Sequence, residues 1–224
     1  CKEWLDKLGR VDFIVSPSAS HTSFVKSAKA AYPGAKVIAS LPASIKLGKA
    51  AVSTDLDYTT SLQDVSAALA ADFECFPLTS DPQHELVLLH KASGTLCVCD
   101  LLYATEPGGV LPKDKAREPE LWMGRMFSKV NFAPDFAGGI LPVYRHAMLD
   151  PKSGFPIAPP LEKDARTNFG KAIKDLLRTP GVKRVCSAHL PKVLEPEMAR
   201  QLLLISWGWT CEEAIAGKQA DHLV

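Results

Sequence analysis

Residues 11–39 read VDFIVSPSASHTSFVKSAKAAYPGAKVIA, and the order they imply is strand, loop, helix, strand. Val11, Phe13 and Val15 form a short apolar run bounded by polar residues, as a buried strand does. Pro17 blocks further strand pairing, so Ser16 to His21 is expected to be a loop. Ser20 or Thr22 is positioned to cap the following helix, with Phe24, Val25, Ala28 and Ala31 on one face. Pro33-Gly34 ends that helix, and a second strand begins near Ala35. A β-α-β unit puts its polar loop at the carboxyl end of the first strand, where open α/β sheets hold ligands.

Outward from this unit, helix and strand patterns alternate. Trp4 to Leu8 has the look of a helix end closed by Gly9. Leu41 to Asp57 mixes Pro42, Gly48 and small residues, and is expected to be loop with at most one helical turn. Leu62 to Ala70 has helical spacing, and Phe73 to Pro77 reads as a strand. Glu85 to Lys91 and Thr95 to Leu101, joined by Ser93-Gly94, make the clearest hairpin. Glu106 to Pro119 reads as exposed loop, Leu121 to Val130 as helix, and Asp150 to Pro160 as a turn-rich connector. Ala165 to Arg178 places Phe169, Ile173, Leu176 and Leu177 on one helical face, with Asp164 as N-cap. Val182 to Cys186 is a strand, Ser187 to His189 the loop at its end, and Pro196 to Trp207 a helix. The strands are expected to share one mixed sheet covered by helices.

Composition bounds the function. The chain has 224 residues, 46% hydrophobic and 23% charged, enough for a substantial core. Residues 1–224 are expected to form a single domain with an irregular insertion at about 104–160. A formal net charge of +1 with no basic block leaves no electrostatic footprint for nucleic acid. No apolar run reaches the length of a membrane span, and no signal-like N-terminus appears. The chain opens on Cys1 instead of Met, so a processed chain or a fragment is expected. Cys1, Cys75, Cys97, Cys99, Cys186 and Cys211 form no CxxC pair. They are expected to be reduced, with Cys97, Cys99 and Cys186 mostly buried, in an intracellular, reducing compartment. There is no P-loop, G-x-G-x-x-G or G-x-S-x-G.

The opening stretch resembles the first motif region of the metallo-β-lactamase fold: a "vD-x-I" strand, Thr-His-x-His-x-Asp-His, a helix and a "P-G-A-K-V" strand. The motif is eroded. Ser16 stands at the Thr, Pro17 and Ala19 at the first two His, His21 at the Asp and Thr22 at the final His. A one-residue slip puts His21 on the final His instead. The chain is most similar to motif-eroded, uncharacterised metallo-β-lactamase-like proteins that keep a Pro and one His in this loop. The hairpin ending in Asp100 resembles the later motif whose Asp binds or bridges metal. The strand followed by His189 and a helix resembles the last metal motif. Members of the fold normally carry several strands before the first motif, so the expected fold is a metallo-β-lactamase-like layered α/β domain with its N-terminal strands missing or truncated.

The resemblance implies a candidate metal set of His21, Asp100 and His189, with His84 as a weaker fourth. Such a set suits one Zn or Fe ion at most, since loss of His at Pro17 and Ala19 removes the pair that anchors a second. The competing reading is a vestigial polar cleft, in which Asp100 caps a turn and the histidines make ordinary hydrogen bonds. The expected function is therefore a non-catalytic binding or assembly subunit without cofactor, with a mononuclear metal-dependent hydrolase as the alternative. The partner is an unspecified protein or small molecule. The three residues are expected to meet at the carboxyl edge of a shared sheet.

Overall fold

The computed structural model describes residues 2–80, 83–103, 165–189, 193–207 and 210. Their helices are α1 (Lys2–Leu8), α2 (Val25–Ala31), α3 (Leu41–Lys49), α4 (Leu62–Leu69), α5 (Ala165–Arg178) and α6 (Pro196–Trp207). Their strands are β1 (Phe13–Val15), β2 (Lys36–Ala39), β3 (Leu56–Asp57), β4 (Phe73–Leu78), β5 (Glu85–His90), β6 (Thr95–Tyr103) and β7 (Arg184–His189). The expected elements at Glu106 to Pro119, Leu121 to Val130 and Asp150 to Pro160, and the proposed insertion around them, lie outside the described residues. So do the expected N-cap Asp164, Cys1 and Cys211.

The strands form two sheets, not one. β1, β2 and β3 pair in parallel in that order. β4, β5 and β6 form an antiparallel meander, and β7 joins β6 in parallel, so the second sheet is mixed. The physical reason for two sheets is visible in the cores. On one face of the first sheet, Ile14, Val37 and Ala39 pack with Val25, Ala43, Leu47 and Val52. On its other face, Phe13, Val15, Ile38 and Leu56 meet Phe73, Cys75, Leu86 and Leu88 of the second sheet. The far face of the second sheet, with Val87, Leu89, Leu96 and Val98, packs on Phe169, Ile173, Leu176 and Leu177 of α5 and on Ala199, Leu203 and Trp207 of α6. The order is helices, sheet, sheet, helices. The central strands β2 and β5 are apolar on both faces and need a layer on each side, at about 1.5–3 kcal/mol per fully buried large aliphatic or aromatic side chain.

Several local expectations change. Residues 41–49 form a helix, because the Ser40 hydroxyl accepts the Ala43 N–H and Pro42 sits in its first turn. Neither Ser20 nor Thr22 caps α2; its N-cap is Phe24, which is 84% exposed and off the core face. β7 starts at Arg184 and runs to His189, so that His ends the strand itself and does not lie in a loop beyond it. Gly94, with φ +63°, turns the hairpin, and its carbonyl accepts the N–H groups of Lys183 and Arg184. The turn thus holds the entry of β7 beside β6.

Candidate functional site

The loop after β1 is pinned between the sheets by its backbone. The Ser16 N–H donates to Ile38 O, the Leu86 N–H to Pro17 O at 2.8 Å, and the Ala19 N–H to Gln83 O at 2.6 Å. Lys46 Nζ donates to Ala19 O at 2.6 Å. Tyr58, buried between the sheets, donates its hydroxyl to His84 O at 2.5 Å, with Pro17 O at 3.4 Å. Ser16 and Ser18 are fully buried, which a polar loop tolerates only when its hydroxyls are bonded. Ser16 Oγ donates to His21 O at 3.0 Å, closing the loop on itself.

Opposite this loop, β6 leaves its ladders. Pairing with β5 runs from His90–Thr95 to Leu88–Cys97, and pairing with β7 shifts register between Val98 and Tyr103. Side chains take over there. Glu85, itself buried, accepts the Cys99 N–H through Oε1 at 2.6 Å. Ser187 Oγ contacts the carbonyls of Cys99 and Leu102 at 3.1 and 2.6 Å. Trp207 Nε1 donates to Leu101 O at 2.9 Å. A regular strand sends consecutive side chains to opposite faces; a bulge re-aims them. Cys99 and Asp100 consequently both reach the loop.

The two segments meet at Asp100. Ser18 Oγ donates to Asp100 Oδ2 at 2.7 Å, and His21 Nε2 lies 3.2 Å from Oδ1. The Asp100 side chain is 4% exposed and that of His21 is 35% exposed, so the imidazole covers the carboxylate from the solvent side. One donor atom from each of His21, Cys99 and Asp100 lies within 4.8 Å of the other two. Burial pushes the Cys99 thiol well above the usual range, and the carboxylates of Asp100 and Glu85 push it further.

Of the sequence candidates, His21 and Asp100 come together. They do so from different sheets, His21 after β1 and Asp100 within β6, and not along one sheet's carboxyl edge as expected. His189 pairs with Tyr103 through its backbone, and its side chain lies outside the described residues. His84 is not part of the three-donor group; its backbone sits at φ +47° and its carbonyl anchors Tyr58. Ser18, Cys99 and Glu85 were not singled out as site residues from sequence. Only Cys99 left a signal, its position beside Asp100.

The described residues thus define a four-layered α/β sandwich with a buried carboxylate between its sheets. No family model matches the chain, and no curated protein matches it. Among solved structures, the chain is similar to a metallo-β-lactamase from Pontibacter korlensis, at 12% identity and a TM-score of 0.47, with 93% of this chain and 74% of that one covered. Among the described residues, no helix is long and apolar enough to cross a membrane.

Proposed function

We propose that this chain is a metallo-β-lactamase-like protein that keeps the sandwich without hydrolytic metal chemistry, and that it serves as a binding or assembly subunit. The observation that carries the reading is the state of Asp100. At the position where the family resemblance places a metal-binding carboxylate, the Ser18 hydroxyl is bonded to one oxygen and the His21 imidazole lies beside the other. A buried carboxylate needs such partners, and here side chains supply them.

A second reading rests on the three-donor group of His21, Cys99 and Asp100. Imidazole, thiolate and carboxylate are suitable donors for a single Zn or Fe ion, and their mutual distances suit one coordination sphere. When bound, such an ion supplies Lewis acidity and lowers the pKa of a coordinated water. Against it, Cys99 must lose a proton that its buried surroundings hold firmly.

Metal content separates the readings. The protein is purified without added metal, analysed for zinc and iron, and titrated with Zn²⁺ by calorimetry. The binding-subunit reading expects no saturable equivalent in wild type. One saturable equivalent that disappears in both His21→Ala and Cys99→Ser establishes the mononuclear site instead.

A further inference from the structure

Cross-strand register lines up a row of side chains over the second sheet: Cys75 opposite Leu88, Leu88 opposite Cys97, and Cys97 opposite Cys186. Paired residues on neighbouring strands point to the same face. Leu96, Val98 and Val185 point the other way, into the core with α5 and α6. Cys97 and Cys186 therefore both stand on the face away from those helices. The expectation of burial fails for Cys186, which is exposed, whereas Cys97 is partly buried. The reason is topological. Among the described residues, the first sheet has three strands against four in the second, and the interlayer core reaches β4 and β5, not β7.

We propose that Cys97 and Cys186 form a modification site, a dithiol that low-molecular-weight disulfides convert reversibly to an intramolecular disulfide. Neighbouring strands lie about 4.7–4.9 Å apart, and directly paired residues therefore fall inside the ~4.4–6.8 Å Cα window of a disulfide. Both cysteines are free thiols, and neither has to leave the helix-facing core to reach the other. Cys75 is excluded as a partner, because Leu88 stands between it and Cys97 in the row.

The exchange proceeds in two displacements. The exposed Cys186, as thiolate, attacks one sulfur of the small disulfide. That S–S bond breaks and the first small thiol leaves, carrying the proton that Cys186 gave up. Cys97, as thiolate, then attacks Cys186 Sγ, the mixed disulfide breaks, and the second small thiol leaves with the Cys97 proton. The two cysteines are oxidised by two electrons and the small disulfide is reduced to two thiols. Adjacent-strand pairing holds the β-carbons farther apart than a relaxed disulfide prefers, so the bond is readily reduced. Closed, it staples β7 to β6 next to the segment that presents Cys99 and Asp100.

The test treats the native full chain with oxidised glutathione, quenches with an alkylating agent, and maps disulfides by peptide fragmentation. The expected product links Cys97 to Cys186 with loss of two thiols, restored by dithiothreitol, and forms unchanged in Cys75→Ser and Cys99→Ala. In Cys97→Ser the reaction should stop at a glutathione adduct on Cys186. In Cys186→Ser, a surface change that leaves the fold intact, no linkage should form. A wild-type end product that is a glutathione adduct, a linkage to Cys75 or Cys99, or complete alkylation of both cysteines after oxidation overturns the proposal.

Discussion

Replacing Asp100 by Ala tests whether side chains of this protein, and not an ion, balance its buried carboxylate. The substitution removes the partner of Ser18 Oγ at 2.7 Å and of His21 Nε2 at 3.2 Å. Hydrogen bonds to charged groups contribute about 1.5–3 kcal/mol each. Ser18 is fully buried, so its bond counts in full. The His21 ring is 35% exposed and can turn to water, so its share falls to about 0.5–1 kcal/mol, as for a surface pair. Relief from burying a charge offsets part of the loss. The net expectation is a destabilisation of about 2–3 kcal/mol, which for a chain of this size lowers Tm by roughly 4–12 °C. Asp100→Asn keeps the shape and one acceptor, so it should lose about half as much. Urea denaturation followed by circular dichroism, with and without a chelator, measures both. A chelator that destabilises wild type to the level of Asp100→Ala, with no effect on the variant, would refute the reasoning, because the carboxylate would then be holding an ion. An Asp100→Ala protein as stable as wild type would refute it equally.

Three further outcomes follow from the same contacts. Gly94→Ala should destabilise by about 1–3 kcal/mol in the same assay, since the turn needs φ +63° and an added Cβ would stand 2.5 Å from Gly181 O. Trp207→Phe should cost about 2–3 kcal/mol, since it removes the bond to Leu101 O and disturbs the tilted contact with Phe169; a change below the error of the fit would show that α6 does not hold the β6 segment. The Cys99 thiol is raised in the fold above its ordinary value of 9.0, so its protonated form is favoured by folding. That contribution is complete below the unfolded thiol's pKa and is lost as pH rises past it, so stability should decline above about pH 9 in wild type and less steeply in Cys99→Ala; parallel alkaline profiles would contradict it.

Much of the local structure is legible in the order of residues. The β-α-β unit from Val11, the hairpin around Gly94 and the helix of Phe169, Ile173, Leu176 and Leu177 all follow from period, turn chemistry and stop signals acting over a few residues. Asp100 is legible as the first polar residue after an apolar run, but its place is not: it lies within β6, which continues to Tyr103 instead of ending there. The number of sheets is not. Val37, Ile38 and Ala39 are all buried, two toward helices and one toward the other sheet, and a continuous apolar run does not say which layer covers which face. The helix at residues 41–49 was hidden because Pro42 and Gly48 read as breakers, although Pro42 falls in the first turn, where no intrahelical donor is lost.

The site divides in the same way. His21 and Asp100 stand out by residue type, but Ser18 is one polar loop residue among several until the fold brings it to a carboxylate 82 positions away. Cys99 and Asp100 would face opposite ways in a regular strand. They share one site because Glu85, Ser187 and Trp207 satisfy the backbone of residues 99–102 where the ladders stop, and two of those three lie 85 or more positions further along the chain. Residue type and short-range period thus determined most of the elements and which polar groups stand out. Tertiary packing alone decided which of those groups meet, because burial on both faces and the bulge in β6 depend on partners that no local pattern encodes.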